Sequence, residues 1–342
     1  MLLQEIDYHL PEEMIAQRPA RPRDASRLLV LHRAGGKIEH RRFSDLPEYL
    51  LPGDVIVMND TRVNPARLYG RQEAEPKREV ELLLLSRESP DTWQAMLKPG
   101  RKIKEGEALI LDEGLRALAL GRTPDGNRLV QFRPPKGKEL EPLLEKIGHP
   151  PLPPYITTPV KRASEYQTVY ARKKGSIAAP TAGLHFTPRL LAEIKEKATV
   201  VKLTLHIGPA TFRPVRTEVI EDHPMPPEEY ILSAKAAATI NQAKQEGGRI
   251  LAVGTSACRT LETCADEQGW LTAQKGATSL FITPGYKFRA TDVLLTNFHL
   301  PKSTNILLVG AFAGLDRILQ TYQTAVEEHY RFYSFGDAML II

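Results

Sequence analysis

From Gly148 to Tyr155 the chain reads Gly-His-Pro-Pro-Leu-Pro-Pro-Tyr, a density of proline that no helix or central strand tolerates. The segment separates two textures. Upstream, from about Arg67 to Gly148, short strand signals at Glu79–Leu85, Thr92–Leu97, Ala108–Leu111, Leu115–Leu120 and Arg128–Phe132 are punctuated by turns such as Lys98–Pro99–Gly100. Strands that short and that evenly spaced predict a small antiparallel barrel or sandwich. Downstream, helix and strand alternate. Thr187–Pro188 caps a helix over Arg189–Lys197, and strand Val200–His206 follows. Ser233 caps the next helix, then come strand Arg249–Val253 and helix Ser256–Gln268. Strands Ser279–Thr283 and Asp292–Thr296, a helix from Ser303 and a helix Leu315–Tyr330 complete the series. With the buried-strand pattern Asp54–Met58 near the start, this predicts an α/β domain made from residues 1–66 and 149–342, with a β domain, 67–148, inserted into it.

A chain of 342 residues is long for one ordinary domain, and 42% hydrophobic with 25% charged residues is the balance of a soluble globular protein. The net charge of +5 permits a polyanionic partner without requiring one. Cys258 and Cys264 are six residues apart on an expected helix, which points neither to a disulfide nor to a shared metal. The apolar run Ile306–Leu315 is short of the ~20 residues that cross a bilayer. The start of the chain has acids inside its apolar stretch and no signal-peptide pattern, so a cytoplasmic location is expected. No helix shows a heptad seam, which favours a monomer.

Three strand ends or turns carry a histidine: His185 in Gly183–Leu184–His185–Phe186, His206 before Gly208, and His299 in Asn297–Phe298–His299–Leu300–Pro301. Loops at the carboxyl ends of strands in α/β folds converge on ligands, so the three imidazoles form a candidate site; each alone could equally satisfy a buried carbonyl. In Ala178–Phe186 the small residues let backbone approach a ligand, with Thr181, Gly183 and His185 beside it, or they simply build a tight turn. Gly254–Thr255–Ser256, with Arg259 one turn on, is either an anion cradle at a helix start or an ordinary cap. Asp222 beside His223 offers a carboxylate and a general base, although neighbours in an extended chain point apart. Lys161, Arg162 and Arg172 around Tyr166 and Tyr170, together with Arg62 and Arg67, could hold phosphates and stack bases, or be a solvated loop.

Taken in order, several strings resemble the S-adenosylmethionine:tRNA ribosyltransferase-isomerase family of queuosine biosynthesis. They are Asn59–Arg67, Ile147–Ile156, Tyr166–Tyr170, Ala178–Phe186, Thr211–Phe212, Val253–Thr255, Thr296–Pro301, Ala311–Gly314 and Tyr333–Met339. The chain departs from the family pattern at Pro226, where a second histidine is usual, at Pro209–Ala210 and at Ser256–Cys258. The resemblance implies an α/β domain of barrel-like character with an inserted antiparallel β-barrel. It also implies transfer of the ribosyl part of S-adenosylmethionine to 7-aminomethyl-7-deazaguanine at the tRNA wobble position, giving epoxyqueuosine and releasing adenine and methionine. S-adenosylmethionine is then a substrate, and no metal or other cofactor is expected.

A base must remove a proton beside the sulfonium. His185, His206, His223 and His299 form the candidate pool, with Asp222 as orienter or base. Asn297 and Thr181 suit the ribose hydroxyls, and Gly254, Thr255, Ser256 and Arg259 the methionine carboxylate. Two other readings are a methyltransferase, which would release S-adenosylhomocysteine but usually shows a glycine-rich turn near its start, and a non-catalytic tRNA-binding protein, which would concentrate cations on one face.

Overall fold

The computed structural model describes residues 1–124, 126–209 and 215–342, so Ala210 and the Thr211–Phe212 motif lie outside the described residues. The chain forms two compact units, one of Met1–Arg62 with Pro153–Ile342, the other of Val63–Leu152. The sequence placed the boundaries four residues further inside the second unit. The difference has a local cause. Arg67 and His149 exchange backbone hydrogen bonds of 3.0 and 2.8 Å, and the Ala66 carbonyl accepts from Leu84 at 2.8 Å, which ties both flanks to the β unit.

In that unit, β5 (Arg67–Gln72), β6 (Glu79–Arg87), β7 (Thr92–Lys98), β8 (Ala108–Leu111), β9 (Arg116–Arg122) and β10 (Arg128–Arg133) close into an antiparallel barrel in the order β10-β7-β6-β5-β8-β9. Period-two alternation sends Val80, Leu82 and Leu84 of β6 inward. Helix α1 (Leu140–Ile147) adds Leu143, Leu144 and Ile147 to the same core.

The larger unit is built on a nine-stranded mixed sheet. Its strands are β1 (Arg27–Leu31), β2 (Ile38–Arg42), β3 (Val55–Asn59), β12 (Thr199–Leu205), β13 (Glu228–Leu232), β14 (Ile250–Val253), β15 (Gln274–Thr278), β16 (Val293–Asn297) and β17 (Ala338–Ile341). Their order is β15-β13-β12-β3-β14-β16-β17-β1-β2. The central strands β12, β3, β14 and β16 run parallel, so their carboxyl ends lie on one side. A separate two-stranded ribbon pairs β4 (Thr61–Val63) with β11 (Lys173–Ser176).

Alternation gives this sheet two apolar faces. Leu29, Leu31, Val55, Val57, Ala252, Leu294 and Met339 pack on one side with α3 (Ala234–Gln245), α4 (Thr255–Cys264), α5 (Thr304–Ala313) and α6 (Leu315–Glu327). Leu28, Val30, Ile56, Met58, Leu251, Val253 and Leu340 pack on the other with α2 (Pro188–Lys197) and the short helix Phe43–Tyr49. Each fully buried Leu, Ile or Val contributes about 1.5–3 kcal/mol. The caps expected at Thr187 and Ser233 form, accepting from Leu190 and Ala236, and Ser303 caps the helix expected there by accepting from Ile306.

Two expected elements differ. The strand expected at Ser279–Thr283 is instead β15, whose five residues pair with β13. The helix expected to reach Gln268 ends at Cys264, because the Asp266 carboxylate takes the amides of Gln268 and Trp270 and turns the chain. Both cysteines are buried free thiols. Among the described residues no helix is long and apolar enough to cross a membrane, and no group of three or more His, Cys, Asp or Glu is placed to hold a metal.

Candidate active site

A cavity opens outside the carboxyl ends of the central parallel strands, where α/β sheets bind ligands. Three strand ends supply it. After β14, Gly254 takes φ 85° and starts α4, so Thr255 and Ser256 reach the wall. At the end of β16, Thr296, Asn297 and His299 line it, and after β12 Ile207 does. Thr304 and Asn305 bring the amino end of α5 to the same space. Two helix amino ends with their unsatisfied N–H groups thus border one cavity, an arrangement suited to an anionic group. Asn59 donates to the Ser256 hydroxyl oxygen at 3.1 Å, which leaves that hydroxyl's proton available as a donor.

Arg259 projects one turn into α4. Its Nη1 pairs with the buried carboxylate of Glu228, its Nε donates to the Leu280 carbonyl at 3.0 Å, and its Nη2 has no hydrogen-bond partner among the described residues. Glu228 also accepts from the Gly208 amide at 2.9 Å. Among the described lining residues, Arg259 is thus a cation whose charge Glu228 balances and whose Nη2 is an unused donor.

The four expected histidines fall in three different settings. His223 and His299 line the cavity; His185 and His206 do not. His223 is half-buried near the ring of Phe281, with centroids 5.8 Å apart, and partial burial lowers its pKa, so it stands as a free base at neutral pH. His299 is buried, its Nε2 lies 2.8 Å from the Thr296 hydroxyl, and burial pushes it down to about 3. His185 sits behind Asn297 with both ring nitrogens engaged, and burial pushes it to about 4. His206 bonds Thr61 at 2.8 Å beside Gly175 of the ribbon. Asp222 is exposed and does not line the cavity.

Of the remaining expected contacts, Thr181 lines the cavity, whereas Gly183 lies beneath it against the Tyr170 ring, where a Cβ would meet the hydroxyl at 2.0 Å. Tyr166 and Tyr170 are buried rather than presented for base stacking; Tyr166 forms part of the cavity wall and Tyr170 belongs to the core beside Phe186. Arg62, Lys161, Arg162 and Arg172 are exposed, and Arg172 pairs with Asp60 at 3.3 Å. In the barrel unit, Arg67 pairs with Glu81 and donates to the Leu152 carbonyl.

Sequence reasoning assigned no role to Tyr155, Tyr333, Ser334, Glu228 or Phe281, all of which line the cavity. The Tyr155 hydroxyl lies 2.6 Å from the Ser334 hydroxyl, and the Tyr155 and Tyr333 rings meet at 3.9 Å. Both tyrosines sit inside strings that carry the family resemblance, Ile147–Ile156 and Tyr333–Met339, so the signal for them was present.

Fold and cavity together define an α/β enzyme whose candidate site lies at the ends of a parallel core, with a β-barrel placed within its chain. A family described as queuosine biosynthesis protein matches residues 3–341, and the chain belongs to that family. It is 54% identical to the S-adenosylmethionine:tRNA ribosyltransferase-isomerase of Moorella thermoacetica and 52% identical to that of Symbiobacterium thermophilum, each over 100% of both chains. A crystal structure of S-adenosylmethionine tRNA ribosyltransferase from Thermotoga maritima matches 99% of this chain and 100% of its own, at 39% identity and a TM-score of 0.56.

Proposed function

We propose that this chain is an S-adenosylmethionine:tRNA ribosyltransferase-isomerase acting on tRNA that carries 7-aminomethyl-7-deazaguanine at the wobble position. The end-to-end relationship to enzymes of that name carries the reading, and the cavity supports it with groups matched to each chemical demand. The substrate's methionine carboxylate suits the amino end of α4, where Thr255, Ser256 and the unused Nη2 of Arg259 offer donors. Glu228 holds the Arg259 guanidinium in place through their ion pair. Thr181 is assigned to a ribose hydroxyl.

The sulfonium acidifies the adjacent methylene, and the base that takes its proton must be unprotonated and reachable. His223 meets both conditions: it lines the cavity, keeps partial exposure and is neutral at pH 7. His299 is more deeply buried and is assigned to holding Thr296. With the proton removed, the ribosyl carbon skeleton passes to the aminomethyl nitrogen, adenine and methionine depart, and the epoxycyclopentane remains on the tRNA. Exposed Lys161, Arg162 and Arg172 are assigned to the RNA backbone.

The test incubates the protein with S-adenosylmethionine and tRNA bearing the aminomethyl base, then follows small products and the modified nucleoside by mass spectrometry. Equimolar adenine, methionine and epoxyqueuosine are expected. S-adenosylhomocysteine in their place would make the protein a methyltransferase, and salt-sensitive tRNA binding without turnover would make it a binding protein.

A further inference from the structure

The carboxamide of Asn297 is held on one side only. Its Nδ2 lies 3.3 Å from the Tyr333 carbonyl and 3.4 Å from the Asp337 carbonyl. Carbonyls accept only, so the nitrogen must face them and the amide cannot be turned over without placing oxygen against oxygen. The same Nδ2 lies 3.0 Å from His185 Nε2, which must therefore be the bare, accepting nitrogen. The ring proton then sits on Nδ1 and is donated to the Ser26 hydroxyl oxygen at 2.8 Å. Phe43 stacks on the imidazole at 4.9 Å between centroids and fixes its plane. Every orientation in the chain Ser26–His185–Asn297 is thus determined. What remains is Asn297 Oδ1, buried at the cavity wall with no hydrogen-bond partner among the described residues.

A buried acceptor without a partner costs about 1–3 kcal/mol, and each such atom in a folded protein calls for an explanation. We propose that Asn297 is a specificity-determining residue of the cavity, that its Oδ1 accepts a hydrogen bond from a donor group of the substrate, and that Ser26 and His185 are positioning residues that keep the acceptor turned toward it. The assignment rests on the reading of the cavity as the S-adenosylmethionine site. It excludes the methionine carboxylate from this wall, because two acceptors would face each other. It leaves four donors on that molecule: the two ribose hydroxyls, the adenine amino group and the ammonium. It also removes His185 from the pool of bases, since a ring whose Nε2 accepts from Asn297 has no lone pair for substrate.

Calorimetric binding of S-adenosylhomocysteine, in the presence of tRNA, separates these sources when repeated with its 2′-deoxy, 3′-deoxy, 6-deamino and des-ammonium counterparts. In the wild-type protein, the counterpart lacking the relevant donor is expected to bind about 10–100-fold more weakly. In Asn297→Ala, the parent compound loses that factor and that counterpart loses nothing further. His185→Gln, whose side-chain oxygen replaces the accepting nitrogen, keeps the discrimination; His185→Leu abolishes it. Equal losses for all four counterparts in wild type and Asn297→Ala would overturn the proposal. So would a His185→Leu protein that melts lower yet discriminates normally, since that is the mark of a merely structural histidine.

The aiming half is checked without ligand. Nitrogen NMR of histidine-labelled protein, with the His185 signal assigned by its absence in His185→Gln, should show a protonated Nδ1 and a bare Nε2; the reverse tautomer overturns the proposal. Failure of the underlying activity reads differently. A wild-type protein that neither turns over nor binds S-adenosylhomocysteine refutes the substrate, whereas turnover without coupling to Asn297 refutes only this inference.

Discussion

Replacing Arg259 by methionine separates what the arginine does for the fold from what it does for a ligand. Glu228 and Arg259 keep only 8% and 11% of their side-chain surface exposed, so the variant strands a carboxylate with the Gly208 amide as its remaining described donor. Breaking a buried pair from one side costs about 3–5 kcal/mol. An independent bound agrees: the carboxylate can escape by binding a proton, and neutralising an ordinary glutamate at pH 7 costs roughly 3.7 kcal/mol at 1.36 kcal/mol per pH unit. The deficit should therefore shrink by about 1.4 kcal/mol per unit as pH falls from 7 to 5. Glu228→Gln/Arg259→Met keeps an acceptor for Gly208 and carries no stranded charge, so it should recover all but about 1 kcal/mol. Urea denaturation of the wild-type, single and double variants at pH 5, 6 and 7 gives the three stabilities. The KM for S-adenosylmethionine should rise about 10–100-fold in both variants, because neither retains the guanidinium. A single variant as stable as the double one, or a deficit independent of pH, would refute the argument. A double variant with wild-type KM would remove Arg259 from the ligand site.

Three further outcomes are expected. Gly183→Ala places a Cβ 2.0 Å from the Tyr170 hydroxyl and should destabilise by about 1–3 kcal/mol in a thermal melt; because that hydroxyl has no hydrogen-bond partner among the described residues, Tyr170→Phe alone should cost under about 1 kcal/mol and partly relieve the alanine variant. His185 and His299, held near 4 and 3, are neutral in the fold but protonate near 6.5 when unfolded, so their contribution is full above that value. It is lost as pH falls through 6.5 toward 4, by about 1.4 kcal/mol per unit for each ring; His299→Asn should flatten the stability–pH curve between 6.5 and 5, and an unchanged slope would contradict the buried neutral imidazole. His223→Ala should lower turnover about 10²–10⁴-fold while His206→Ala leaves it within about threefold, and the opposite ranking would dismiss His223 as the base.

The parts of this fold that could be read from sequence are those where burial imposes a period or a cap imposes a residue type. Glu79–Leu82 sets an acid against a buried apolar residue in turn, and Thr187, Ser233 and Ser303 announce α2, α3 and α5 with side chains that can accept from a helix start. β15 escaped notice because four of its five residues are exposed: Gln274–Ala277 carry no apolar face, and only hydrogen bonds to β13 make them a strand. The cavity divided in the same way. Gly254–Ser256 was legible because a strand, a glycine and a hydroxyl-rich helix start are contiguous in the chain. Which histidines face the cavity was not, since His206 and Ile207 are neighbours and only the pairing of Thr61 with the imidazole decides which points away. Glu228 meets Arg259 across 31 residues, a proximity that no local pattern encodes.

The position of β17 has a consequence for how the protein comes into being. The strand is translated after the other strands of the sheet, yet it lies between β16 and β1, pairing antiparallel with the first and parallel with the second. Among the described residues, the β1–β2 hairpin, earlier in the chain than the rest of the sheet, joins that sheet only through it. At roughly 5–20 residues per second, β1 waits on the order of a minute or less for its neighbour, its apolar face without its final sheet partner. The barrel of Val63–Leu152 is contiguous in sequence and can close while the ribosome is still at work. A chain halted before Ala338 is expected to keep the barrel while the β1–β2 hairpin lacks the strand that joins it to β16, leaving the β1 edge open to other chains and to proteases.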